Sequence, residues 1–359
     1  MRSLHAQVGP DDGRGWLGIF YFRVAHRNAG ACEAWKCQSF SGRTEVEPPS
    51  RSTSTAADHF GYRVGFSIQF VTSMALRVAF QGEPGAFSEE AVQCVFDEAD
   101  VHPCATFEDA FEAVEDRTAD RAVVPIENAV YGSVRVNYDH LRTHAVTIVG
   151  ELQLRIHHCL MAPDGALIDD VEVVRSHQQA LGQCRDWLRA HVPDATPEAT
   201  PDTAGAARAV AAVGDATTAA VASHRAAERY DLQILADGLQ DDAQNFTRFL
   251  VLAPKDGGAA SIGDGAPKTS LAFVLQENVP GALFKSLAVF ALRELDLAKI
   301  ESRPLVGHPG RYRFYLDVHG AVGDEPVARA LDHLREITME LQVLGAYPQG
   351  DTYPDDLEG

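Results

Sequence analysis

Residues 76–91 read LRVAFQGEPGAFSEEA. A β-rich run from Leu76 ends at Gly82, Pro84-Gly85 supplies a turn, and Ser88 stands as a helix cap ahead of Glu89 and Glu90. Acids in a first helical turn complement its exposed N–H groups. Strand, turn and helix in immediate succession is the unit of an α/β protein. The unit recurs. In ATFEDAFEAVED (105–116) Thr106 and Asp109 have the spacing of a capping box. DRAVVPIENA (120–129) reads as a strand running into VYGSVRVNYDHL (130–141), and VEVVRS (171–176) as another. Ser176 and Gln179 cap HQQALGQCRDWLRAH, where Ala180, Leu181, Cys184, Trp187 and Leu188 share an apolar face. DTAGAARAVAAV (202–213), TAAVAS (218–223) and HRAAERY (224–230) continue as helix, strand and helix.

Strand-to-helix turns near 82–88, 128–134 and 176–179 suggest a ligand cleft. Open sheets bind beyond their strand ends, where helix N–H groups favour anions. The expected occupant is a small acidic metabolite. The stretch DDAQNFTRFLVLA (241–253) sharpens this, because its strand-like end is led by Asn245, Thr247 and Arg248. Side chains alternate along a strand, so Asn245, Thr247 and Phe249 share one face and Arg248 takes the other. Thr247 is expected in the cleft. Arg248 either reaches the ligand or supports the fold, paired with an acid such as Glu127.

The 359 residues exceed one average core, so two domains and an extension are expected. The net charge of −20 repels phosphate backbones and argues against nucleic acid. No apolar run approaches a membrane span. Six cysteines (Cys32, Cys37, Cys94, Cys104, Cys159, Cys184) lack zinc-like pairing and read as reduced thiols. His157-His158-Cys159 reads as core rather than metal, and the glycosylation sequon at Asn245 as coincidence. Residues 1–73 scatter Gly, Ser and Pro without helical period. They are expected to be a disordered extension, or to lie upstream of the true start.

A Gly-rich linker, 257–268, leads into a second domain. Strand TSLAFVLQEN, a helix from Ala282, strands LAKIESRPL and YRFYLDVHG, helix PVARALDHLREITMEL and a short VLGAYP give the ferredoxin-like order βαββαβ. Such a module behind a cleft more often regulates than reacts.

The motifs QGEPGAFSEEA (81–91), VVPIENAVYGSV (123–134), SHQQALGQC (176–184), DTAGAA (202–207) and DDAQNFTRF (241–249) resemble, in order, those of prephenate dehydratase. PGALFKSL (280–287) and KIESRP (299–304) resemble the effector motifs of its C-terminal ACT domain. The resemblance implies a two-lobed catalytic domain like type II periplasmic binding proteins over 74–256, with lobes of about 76–154 plus 241–256 and of 155–240. It implies an ACT domain over 269–350. It also implies decarboxylating dehydration of prephenate to phenylpyruvate for phenylalanine synthesis, no cofactor or metal, and a cytoplasmic homodimer or homotetramer inhibited by L-phenylalanine.

Where the family has hydroxyls or proline this chain has Ala86, Ala129 and Gln178, and Ala86, VRVNYDHL and QLRIHHCL look more like plant-type arogenate dehydratases. Arogenate is therefore the alternative substrate. An amino-acid sensor that has lost catalysis is the alternative of another class. The resemblance assigns catalysis to Thr247. Expected substrate contacts are Ala86, Ser88, Asn128, Ser133, Ser176, His177, Asn245, Arg248 and Phe249. Expected phenylalanine contacts are Asn278, Pro280, Gly281, Ala282, Leu283, Glu301, Ser302, Arg303 and Pro304.

Overall fold

The computed structural model describes residues 4–8, 18–22, 75–257 and 260–353. The chain divides into two compact units, Met1–Phe70 and Val71–Gly359. In the first, β1 (Leu4–Val8) pairs antiparallel with β2 (Gly18–Phe22). The expectation of disorder for the rest of 1–73, and the thiols of Cys32 and Cys37, lie outside the described residues.

The second unit holds three α/β layers. Its first lobe contains β3 (Leu76–Gln81), α1 (Phe87–Val95), β4 (Ala99–Cys104), α2 (Phe107–Glu115), β5 (Arg121–Asn128), the two-residue β6 (Gly132–Ser133), α3 (Arg135–Thr143) and β7 (Val146–Arg155). The second lobe contains β8 (Cys159–Ala162), β9 (Val173–His177), α4 (Gln178–Gln183), α5 (Arg185–His191), β10 (Thr196–Thr200), α6 (Thr203–Val213), β11 (Thr218–Ala222), α7 (His224–Tyr230) and β12 (Gln233–Ala236). The chain then returns to the first lobe as β13 (Phe246–Pro254). Strand order is β7-β13-β5-β3-β4 in the first lobe and β10-β9-β11-β8-β12 in the second. Both sheets are mixed, because the strands beside the two crossovers run antiparallel to their neighbours.

The C-terminal layer follows the expected order: β14 (Pro267–Leu275), α8 (Ala282–Ala291), β15 (Leu297–Pro304), β16 (Tyr312–His319), α9 (Glu325–Ile337) and β17 (Thr338–Pro348). Its sheet, β15-β16-β14-β17, joins the first lobe's sheet edge to edge through β17 and β7. Gly345 permits that approach, since a Cβ there would collide with the backbone of Ile148. A further strand, β18 (Thr352–Tyr353), also pairs with β7. One face of the C-terminal sheet carries α8 and α9 around Phe273, Phe290 and Leu331. The other contributes Ala272, Tyr315, Leu344 and Tyr347 to the core of the first lobe. The linker is not a free tether either, for Ile262 donates its N–H to Val149 and packs on the first lobe. The small domain is fused to the first lobe rather than strung behind it.

Three local expectations are corrected. Helix α1 starts behind Ala86 rather than behind Ser88, with Glu89 and Glu90 donating their N–H groups to the Ala86 carbonyl and no side chain capping it. Helix α4 is capped by the His177 ring rather than by Ser176. The single helix expected over 177–191 breaks at Cys184 into α4 and α5. The Thr106–Asp109 capping box forms as expected. Among the described residues no helix is long and apolar enough to cross a membrane.

Candidate functional site

Between the lobes lies a cleft of about 500 Å³. Its first-lobe wall includes Ala86, Phe87, Ser88, Asn128, Tyr131, Ser133, Thr247 and Phe249, and its second-lobe wall His158, His177, Gln179, Gln183, Asp202 and Thr203. The lobes touch beside it. Ser223 donates to the carbonyl of Gly85 at 2.7 Å, and Tyr230 donates to that of Pro84 at 2.6 Å. Gly85 has φ +92° and lies so near Ala226 that a Cβ would stand 2.9 Å from its Cα. A side chain there would be strained and would hold the lobes apart. Tyr131 spans the cleft, its hydroxyl donating to the carbonyl of Gln179 at 3.1 Å.

β13 presents two faces of opposite character. Thr247 and Phe249 point into the cleft, Thr247 only 8% exposed. The Asn128 amide donates to Thr247 Oγ1 at 2.9 Å, and lies as close to Asn245 Oδ1. Asn128 is itself fixed, because its Oδ1 accepts the N–H groups of Val130 and Tyr131. With Asn128 supplying a donor to Thr247 Oγ1, the threonine's own proton is directed to another acceptor. Asn245 is buried behind this pair, takes a second amide from Gln183 at 3.3 Å, and keeps its Nδ2 unpartnered. Its burial also disposes of the glycosylation sequon.

Arg248 faces away from the cleft, and the expected partner Glu127 is taken by Lys299 at 2.7 Å. Its guanidinium instead holds Glu151 at 2.5 Å and Asp317, in the C-terminal domain, at 2.7 Å. Lys268 also pairs with Glu151, and Ser270 and Tyr347 complete the hydrogen bonding. Two cations and two anions thus balance in a buried quartet. Burial opposes the charge on Arg248, but Asp317, Tyr347 and Glu151 outweigh it and raise its pKa.

Other expected contacts divide. Ala86, Ser88, Asn128, Ser133, His177 and Phe249 line the cleft. Ser176 does not: it is fully buried, its hydroxyl donated to the Val221 carbonyl at 2.6 Å. Of the three departures from the family motifs only Ala86 reaches the cleft, while Ala129 and Gln178 are exposed outside it. Glu301 and Arg303 turn toward the first lobe, Glu301 bonding Ser133 and Arg303 bonding Asp139 at 2.9 Å. Ser302 and Pro304 alternate to the exposed side. Asn278 bonds the Gly310 carbonyl, and Pro280 and Gly281 stand exposed, with Ala282 and Leu283 half-buried at the start of α8.

His158 lines the cleft although its motif reads as core. Burial lowers its pKa from 6.5 to about 4, so its ring is neutral at neutral pH. The ring contacts Gln183 Oε1 at 2.7 Å. Gln179 and Gln183, one helical turn apart, could have been read as a polar pair; nothing in the sequence singles out His158. Among the described residues lining the cleft there is no lysine or arginine. Neutral donors and the start of α1 are what it offers an anion, because the start of α6 is already capped by the Asp202 carboxylate.

Residues 78–257 match the family model described as prephenate dehydratase. The chain is 46% identical to arogenate dehydratase/prephenate dehydratase 2, chloroplastic, of Arabidopsis thaliana, over 77% of this chain and 74% of that one. The prephenate dehydratase of Arthrobacter aurescens, solved in complex with L-Phe, superposes with a TM-score of 0.70 at 33% identity, covering 76% of this chain and 90% of that one. A protein described as a quorum-quenching acylase, GqqA, superposes equally well, with a TM-score of 0.70 at 33% identity over 76% of this chain and 98% of that one.

Proposed function

The chain belongs to the prephenate dehydratase family, and from that premise we propose that it converts prephenate to phenylpyruvate, carbon dioxide and water. The observation that carries the reading is the Thr247 hydroxyl, turned into the cleft and held by the Asn128 amide. As the carboxylate bond to the ring breaks, its electron pair moves through the ring and expels the hydroxyl opposite. One proton must reach the departing oxygen to balance the reaction. A threonine hydroxyl is too weak an acid to surrender its proton outright, so Thr247 donates a hydrogen bond and water delivers the proton. His158, neutral in its buried setting, is not the acid. The substrate carboxylates lie against the N–H groups at the start of α1, with Ser88 as a further donor, since the Ser133 hydroxyl is already donated to Glu301 and the Asp202 carboxylate caps α6.

Arogenate is the second reading. It replaces the keto group of prephenate with an ammonium, which suits a cleft lined by Asp202 and by no fixed cation among the described residues. Acyl transfer, as described for GqqA, finds less support: Thr247 touches an amide rather than a base, and His158 is bonded to Gln183. Incubating the protein with each acid discriminates. Phenylpyruvate from prephenate supports the first reading, phenylalanine from arogenate alone supports the second, and neither product supports the sensor.

The C-terminal layer acts in this reading as an ACT domain binding L-phenylalanine. The exposed turn from Asn278 to Leu283 offers a helix start and an apolar side chain, and Ser302 and Pro304 stand on the exposed side of β15. Glu301 and Arg303 serve instead as struts to the first lobe. The lobes correspond to those of type II periplasmic binding proteins, and the working form is a cytoplasmic homo-oligomer.

A further inference from the structure

Outside the cleft, Cys159, His224 and Asp237 bring a thiol, an imidazole and a carboxylate together. Cys159 opens β8 directly after the crossover from the first lobe, Asp237 follows β12 just ahead of the return crossover, and His224 opens α7. Cys159 Sγ lies 3.3 Å from Asp237 Oδ1, His224 Nε2 lies 3.0 Å from the same oxygen, and all three ligand atoms fall within 4.8 Å of one another. Zinc holds sulfur at about 2.3 Å and nitrogen or oxygen at about 2.1 Å, which spaces tetrahedral ligands about 3.3–3.8 Å apart. The cluster needs only small side-chain shifts to reach that spacing; His224 and Asp237 are exposed, and Asp237 Oδ1, which also accepts the N–H of Gly238 at 2.8 Å, would share that bond with the ion.

We propose that Cys159, His224 and Asp237 form a binding site for a zinc-class divalent cation at the hinge of the two lobes. The mixed sulfur, nitrogen and oxygen set favours a borderline metal over magnesium or calcium, which take oxygen ligands. Binding replaces the Cys159 S–H bond with a sulfur–metal bond and releases that proton to solvent. Three protein ligands leave a fourth position for water. His157, two residues before Cys159, has a buried Nε2 without a hydrogen-bond partner. The ion would tie together the β-strand that leaves one crossover and the segment that enters the other.

Cobalt(II) is the probe, added under reducing conditions to the chelator-treated full chain. The expected result is one equivalent bound per chain, with a thiolate-to-cobalt charge-transfer band in the near ultraviolet and one proton released. Zinc displaces the cobalt and magnesium does not. Cys159→Ser abolishes the band, and His224→Ala and Asp237→Asn each weaken binding at least about tenfold. The last two positions are half-exposed, so they decide the matter if Cys159→Ser does not fold. Absence of the band, or a band of unchanged affinity in His224→Ala and Asp237→Asn, overturns the proposal and places any bound cobalt on another thiol.

Discussion

At the scale of single residues, each polar group around the cleft is defined by what already holds it. Asn128 is held by two backbone N–H groups and passes its amide to Thr247, so that position depends on an amide's shape rather than on polarity alone. Asn128→Asp should lower kcat much more than it raises KM, because a carboxylate cannot donate to Oγ1; steady-state kinetics on the two variants Asn128→Asp and Asn128→Ala checks this. His158 makes a prediction about pH. Its folded pKa of about 4 lies below the ordinary 6.5, so between those values the unfolded chain binds the proton and the folded chain does not. Stability therefore falls as pH drops from 6.5 to 4, by about 3 kcal/mol from this group. Glu90 works the other way, since burial raises its pKa to about 7 and its contribution is lost as pH rises from 4.5 to 7. The measurement is thus a difference: urea unfolding of the wild type and of His158→Gln across pH 4–6.5, with the acid-side loss smaller in the variant.

At the scale of elements, β13 shows what sequence makes legible. Alternation alone separates Thr247 from Arg248, and the two side chains do face the cleft and the interior of the molecule. The partners of Arg248 were not legible, because Glu151 and Asp317 lie 97 and 69 residues away along the chain. No local pattern encodes such a meeting. Strands β4 and β10 were hidden for a different reason. Each carries a proline, Pro103 and Pro197, and each sits at the edge of its sheet, where proline costs no shared hydrogen bond and apolar alternation is not required. Two of the expected caps failed because α1 starts ahead of Ser88, behind Ala86, and because the His177 ring rather than Ser176 accepts the N–H of Gln179. The quartet on β13 yields a stability prediction. Arg248→Ala leaves two buried carboxylates short of a cation and should destabilise by about 3–5 kcal/mol. Asp317→Ala should do the same from the other domain. In the double variant the losses should fall well short of additivity, as chemical denaturation of the four proteins would show.

At the scale of the whole molecule, the C-terminal layer and the first lobe share a sheet, a core and a charge quartet. Ser133 in the cleft is bonded to Glu301 in β15, so the small domain also reaches the cleft wall. A ligand that shifts the C-terminal sheet can therefore act on the cleft without a long relay, provided it binds one arrangement better than the other. Millimolar L-phenylalanine should lower turnover and raise the melting temperature; no change in either would refute the regulatory role. Gly345→Val should wedge β17 from β7, costing about 1–3 kcal/mol and weakening that inhibition. The proposed function rests on one hydroxyl, that of Thr247. Its test is turnover of prephenate by Thr247→Ala, with substrate binding measured separately. The account predicts near-normal binding and a loss of about 10²–10³ in kcat. A variant that keeps more than about a third of wild-type turnover would contradict it, since the donor loss that defines the role would be missing.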